Sequence, residues 1–357
     1  MNEFLVSARK SQGCWAVPLA SLAMFHWYGR VEGYGEKICP IHVVLVLDNH
    51  YNHHMNWFLI ALIPPALWSA TNHLDKYLVS KYFKGSGVGA LMVFSSIIGV
   101  FLLPIIAIIH PEVLSFSSSS LLIALNGFLY ILAVLPYFYA LQKDEASICV
   151  PLFQLIPVFS YVMAYFVLGE TLNTNQALGG LLVVAGAIGI SLDLSDGKKI
   201  KFKKEVFWLM FLSSVIFALN FIIFKMFAVQ SSFWYTSFWE YVGFAVFAVI
   251  LMLFVKSYRY QFITVMKTNR VFVLSLNGLN EVLNIIAKVA FNWASLLTPI
   301  TVTWIVNGFQ PFFVFAYGVI LTLLFPKVAN ENIERKALAQ KIFAILIMFV
   351  GTYILNA

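Results

Sequence analysis

Charge is in short supply in this chain. Asp, Glu, Lys and Arg make up only 11% of its residues, against about 25% in an ordinary soluble domain, so water is not its main solvent. Cysteine is nearly absent. Cys14, Cys39 and Cys149 show no CxxC or paired spacing, which excludes a disulfide framework and a cysteine zinc site. No Walker loop, HExxH pair or nucleophile elbow occurs, so the sequence offers no catalytic residue, metal or cofactor and is not expected to be an enzyme.

What the chain has in quantity is apolar length. Hydrophobic residues make up 61% of it, in runs of the 17–25 residues that a helix needs to cross a bilayer. Ten such spans fall near 57–79, 88–109, 120–141, 147–168, 176–193, 206–228, 232–255, 271–291, 297–324 and 338–355. The runs are continuous, without ten-residue alternation, which favours an all-helical integral membrane protein over a barrel. Pro299 and Pro311 in the ninth span predict a tilt or a break.

Residues 1–54 differ from the rest. They hold five of the seven histidines (His26, His42, His50, His53 and His54), and their apolar stretches are too short or too interrupted to span. The tract "DNHYNHHMN" permits a metal-binding reading, but a mis-called start, with translation beginning at Met55, is the expectation carried forward.

From Met55 onward one unit of five spans recurs. "LNGFLYILAVLPYFYALQ" (125–142) and "LNGLNEVLNIIAKVAFNW" (276–293) begin alike at the same place in the third and eighth spans. Trp57 and Trp208 open the first and sixth, and Asn72 and Lys76 are echoed by Asn220 and Lys225. "LIPVFSYVMAY" around Pro157 answers "GFQPFFVFAYG" around Pro311, and Gly186 answers Gly351. An odd number of spans per unit places the second copy upside down relative to the first, a pattern of secondary transporters.

Basic residues test this independently. Of the 19 Lys and Arg after Met55, three lie within spans (Lys76, Lys225 and Lys288), Lys341 sits at the start of the tenth, and the other 15 all fall in odd-numbered connections. Basic loops stay cytoplasmic, which predicts outward termini and a cytoplasmic linker at 195–205 between a first repeat at 55–194 and a second at 206–357. The net charge of +7 therefore speaks for membrane topology, not nucleic acid.

The stretch "ALQKDEASICVPLFQLIPVFSYVMAYFVLGETLNTNQALGGLLVVAGAIGI" (140–190) resembles the drug/metabolite transporter superfamily, specifically its ten-helix members with two EamA-type domains. The end of one span, an Ala/Ser stretch, a proline-containing span, the Gly169–Glu170 turn and a glycine-rich helix carry the likeness. The second copy departs from it, since "LLFPKVANENIERKALAQ" replaces the compact Gly-Glu turn. The resemblance implies two inverted five-helix repeats moving a small organic solute, often by export, and points to a bacterial inner membrane. It does not fix the cargo.

The residues expected to carry chemistry lie in polar places within apolar spans. Asn277, Glu281, Asn284 and Lys288 are spaced by 4, 3 and 4 and form one helical stripe bordered by Asn280. Placing a charge at mid-membrane costs ~3 kcal/mol or more, so such residues face a bundle interior or a wet cavity. Cavity lining is the expectation here, and polar glue between helices the plainer reading. Glu281 and Lys288 are about 10 Å apart along one axis, so each needs a partner elsewhere, with Glu240 and Lys225 as candidates. Asp75 and Lys76 are candidates for an inner gate. Gln154 and Gln310, beside Pro157 and Pro311, would bring one amide from each repeat toward mid-membrane, and Trp304 would supply an aromatic wall. Without an ATP site, transport must draw on a gradient. A buried acid can titrate near neutral pH, which makes Glu281 the candidate for protons as coupling ion. The competing readings are a membrane-embedded enzyme acting on a lipid-linked substrate and a non-transporting accessory subunit.

Overall fold

The computed structural model describes residues 53–81, 88–143, 149–191, 204–268, 270–324 and 335–356. Nearly all of the extension expected at 1–54, and most of the 195–205 linker, lie outside the described residues.

The elements run α1 (His53–Lys81), α2 (Gly89–Ile109), α3 (Ser118–Lys143), α4 (Leu155–Leu168), α5 (Thr174–Ser191), α6 (Lys204–Gln230), α7 (Phe233–Phe254), α8 (Lys256–Thr268), α9 (Arg270–Leu297), α10 (Ile300–Asn307), α11 (Gln310–Leu324) and α12 (Arg335–Asn356). Short 3₁₀ turns at Pro111–Leu114 and Val150–Gln154 precede α3 and α4. Among the described residues, seven segments are long and apolar enough to cross a membrane: α2, α3, α6, α7, α9, the α10–α11 pair and α12. Leu152–Leu168 and Thr174–Gly189 are shorter apolar helices. At 29 residues α1 is long enough, but Asn72, His73, Asp75 and Lys76 lower its apolar character. The chain is a multi-pass, all-helical integral membrane protein. Large apolar side chains such as Ile108, Phe166 and Tyr353 point outward, as they must where lipid replaces water.

Local chemistry sets the helix ends. Gly169 caps α4 at φ 67°, a left-handed conformation that glycine adopts without a Cβ penalty. Asn173 and Gln176 exchange side-chain and backbone hydrogen bonds of 2.8 and 3.1 Å, a capping box that starts α5. Ser232 accepts from Tyr235 N at 3.1 Å and starts α7.

One difference from the sequence expectations, and one break that they anticipated, bear on the site. The basic connection at 256–270 contains a helix, α8, which packs on α2. Gln261 Oε1 accepts from Gly89 N at 2.9 Å, and the Tyr258 and Tyr139 hydroxyls lie 3.1 Å apart. In the ninth span the break falls at Gly308–Phe309, between the two prolines, and divides α10 from α11. The Gly308 N–H turns back to Ile305 O at 2.9 Å, a tight turn that leaves Asn307 and Gln310 at the centre of the bundle.

Packing joins the two halves throughout. α3 lies along α6 and α1 along α9; α2 packs on α7 and α5 on α12. α4 packs on α6, while α10 and α11 pack on α1. The closest approach is between α3 and α7, where a Cβ on Gly127 would strike the Glu240 carbonyl and one on Gly243 the Ala124 carbonyl. Without a hydrophobic drive between helices in lipid, such small residues allow the tight backbone contact that holds them. α2 and α9, by contrast, touch little.

Candidate functional site

Where α2 and α9 diverge, a cavity opens between the halves. About 870 Å³ is free of protein atoms, counting the open space at its mouth. α1 contributes Trp68, Asn72 and Asp75, and α2 contributes Ser95. α3 contributes Tyr130 and Tyr137, α9 contributes Glu281, Asn284 and Lys288, and the α10–α11 break contributes Trp304, Asn307 and Gln310.

Two polar clusters serve it. In the first, Asp75 Oδ1 accepts from Asn280 Nδ2 at 2.8 Å, tying α1 to α9. Glu281 Oε1 accepts from Ser95 Oγ at 2.8 Å, tying α9 to α2. Nearby, Tyr137 donates to Asn72 Oδ1 at 3.0 Å.

In the second cluster, Lys288 Nζ lies 2.8 Å from Glu240 Oε2, with both side chains buried. The other oxygen of Glu240 accepts from Asn220 Nδ2 at 3.1 Å and Asn126 Nδ2 at 3.3 Å. Those two asparagines also donate to one another's carbonyls, at 3.1 and 2.9 Å. The ammonium of Lys288 sits 4.6 Å from the Tyr130 ring centre and 4.9 Å from that of Phe221, where the negative ring faces attract it. The two asparagines give the carboxylate's other oxygen the hydrogen bonds that such a buried pair needs.

The polar stripe of α9 is thus divided. Glu281, Asn284 and Lys288 line the cavity; Asn280 lies behind, holding Asp75. Asn277 is buried and donates to Val273 O on its own helix at 2.8 Å, away from the cavity. Lys225 is paired neither with Glu281 nor with Lys288. It forms an ion pair with Glu170 and donates to Thr298 O at 2.9 Å. Glu170 also accepts from Ile300 N at 2.9 Å, so a partly buried latch joins the α4–α5 turn to α6 and the start of α10. Asp75 lies within the cavity, whereas its neighbour Lys76 is exposed. Gln310 and Trp304 line the cavity; Gln154 is buried beside Gly308 and does not.

Sequence spacing missed Ser95, Asn126, Tyr137 and Asn307. Asn126 carried a signal, because its "LNG" repeats that of Asn277. Ser95 carried none, since its partner lies 186 positions away.

The comparisons with known proteins agree with this architecture. Residues 55–192 match the EamA-like transporter family. Over that stretch the chain belongs to the EamA-like transporters. Uncharacterized protein MJ1333.1 of Methanocaldococcus jannaschii is 31% identical over 98 residues, 27% of this chain and 72% of that protein. A solved structure, described only as "Crystal structure of protein", superposes with a TM-score of 0.56 over 84% of this chain and 97% of its own, at 16% identity. That likeness concerns the fold alone.

Proposed function

We propose that this protein is a secondary transporter that exports a small organic solute across a bacterial inner membrane by alternating access between two inverted five-helix repeats. The observation that carries this reading is the cavity itself. Polar and charged groups from both halves converge on a space inside an otherwise apolar helical bundle, beside a discontinuous helix, and such groups in a membrane mark a pathway.

The packing supports the repeat arrangement. Exchanging first-half helices for their second-half counterparts turns the α3–α6 contact into α9–α1 and the α4–α6 contact into the contacts of α10 and α11 with α1. It leaves α2–α7 and α5–α12 unchanged. One exchange fails: α3 is closed on α7, but α9 stands off α2. Under the topology given by the basic loops, this is an inward-open state, shut outside by the Gly127–Gly243 approach and the Glu170–Lys225 latch. Closing α9 on α2 while parting α3 from α7 would expose the cavity to the other side.

In this scheme Glu281, at the α2–α9 gap, takes up and releases the coupling proton, and Ser95 holds its carboxylate in place. Comparing the metabolites exported by a deletion strain with those of wild type would identify the cargo. Purified protein in liposomes should then move that solute down an imposed gradient. Glu281→Gln keeps size and hydrogen bonding while removing the titratable charge. A folded Glu281→Gln protein that moves solute at the wild-type rate with unchanged pH dependence would leave Glu281 as helix glue only.

A further inference from the structure

We infer that the cavity selects a small organic cation, an amine carried on or beside an aromatic or apolar body. This rests on the transporter reading for what becomes of the ligand, but not for whether it binds.

The argument is a charge count at the cavity wall. Three ionisable side chains line it: Asp75, Glu281 and Lys288. Lys288 is already matched by Glu240 at 2.8 Å, so that pair adds no net charge. Asp75 and Glu281 are 5% and 7% exposed. Their partners, Asn280 and Ser95, are neutral, and no described cation pairs with either acid. Tyr130, Tyr137 and Tyr241 are the other titratable groups facing the space, and none supplies positive charge. Two buried carboxylates served by one neutral donor each are under-compensated. A cation entering the cavity beside Asp75 and Glu281 supplies what they lack.

A second observation points to a ligand independently. Asn72 Nδ2 and Trp304 Nε1, in side chains 5% and 4% exposed, have no hydrogen-bond partner although both residues line the cavity. Asn307 Oδ1 is likewise unmatched. Buried polar groups are normally satisfied, so the two N–H groups await an acceptor on the guest and Asn307 Oδ1 awaits a donor such as its ammonium. The surrounding walls are aromatic. Trp68 stacks on Trp304 at 6.3 Å, and Tyr130 on Phe244 at 5.1 Å. Ring faces favour a cation and its apolar body together, and they already hold the ammonium of Lys288. An anionic solute would meet Asp75 and Glu281, and Lys288, the lysine among the described wall residues, is already ion-paired with Glu240.

The test uses the full chain in lipid nanodiscs and three radiolabelled probes of one shape: phenethylamine, neutral 2-phenylethanol and anionic 3-phenylpropionate, each corrected for empty nanodiscs. Phenethylamine should bind at least about tenfold more tightly than either of the others, which a desolvated charge pair readily supplies. Glu281→Gln combined with Asp75→Asn should abolish that preference. Equal or tighter binding of the alcohol or the acid, or no binding of the amine, overturns the proposal without need of a variant; so does an amine preference that persists in the double variant. Flux of the amine in liposomes is read separately. Binding without flux keeps the cation site and sinks the transporter reading, whereas flux of an anion or neutral solute with no amine preference does the reverse.

Discussion

Lys288 of α9 and Glu240 of α7 lie 2.8 Å apart with both side chains buried, and this pair joins two helices between which only the short α8 intervenes in sequence. Glu240 is held from its other side by Asn126 and Asn220, so three helices converge on one carboxylate. Removing one member leaves the other uncompensated, a loss of about 3–5 kcal/mol for a buried pair. Glu240→Gln and Lys288→Met should each lower the thermal unfolding midpoint in detergent, and the double variant should recover much of the loss. Additive losses would mean that the two charges do not interact.

The α3–α7 approach should tolerate no side chain. A methyl on Gly127 or Gly243 would meet backbone carbonyls, which cannot turn aside as a flexible side chain could. Gly127→Ala and Gly243→Ala should each cost about 1–3 kcal/mol, the range for overpacking. Gly278 is the control, since it has nothing within 4 Å of its would-be Cβ. There alanine should be neutral or stabilise by up to about 1 kcal/mol, the helix-propensity difference. Equal effects at Gly127 and Gly278 would remove the close approach as their cause.

These contacts show where sequence reasoning reached and where it stopped. Apolar run lengths located the described helices apart from α8, because lipid solvent imposes a length and a composition on any spanning segment. The 4-3-4 spacing placed Glu281, Asn284 and Lys288 on a common face, since helical geometry is local. The same spacing also included Asn277, which turns back to Val273 O; spacing fixes direction around an axis but not what covers a residue. Asn126, Asn220 and Ser95 find their partners across 94 to 186 positions, and no local pattern records such pairings. The helix α8 was hidden because its Lys and Arg residues resemble those of any cytoplasmic loop.

Topology is open to a direct check. With every loop base in an odd connection, the positive-inside tendency places the α5–α6 linker in the cytoplasm. Ser195→Cys should therefore be labelled by a membrane-impermeant thiol reagent only in inside-out vesicles or after permeabilisation. Because Cys149 is buried and Cys14 and Cys39 lie outside the described residues, the labelling is best done in a variant with all three replaced by serine. Labelling from outside intact cells would reverse the orientation and, with it, the assignment of an inward-open state.

The latch at Glu170 offers the sharpest test of the conformational scheme. Glu170 meets Lys225 from α6 and the backbone N–H of Ile300 from α10, while Lys225 also donates to Thr298 O. One carboxylate thus secures the α4–α5 turn against both the end of α6 and the start of the broken helix, near the end of the bundle opposite the α2–α9 gap. Glu170→Gln can keep the hydrogen bond to Ile300 but loses the ion pair, so the outer seal should weaken without unfolding. The expected result is faster reaction of a cysteine at Thr301, buried in this state, with an impermeant reagent added outside, relative to the same cysteine beside Glu170. Lys225→Met should act in the same direction, and combining it with Glu170→Gln should add little, because either change already breaks the pair. An unchanged labelling rate in both single variants would make the latch a structural tie, leaving the α3–α7 contact as the barrier on that side.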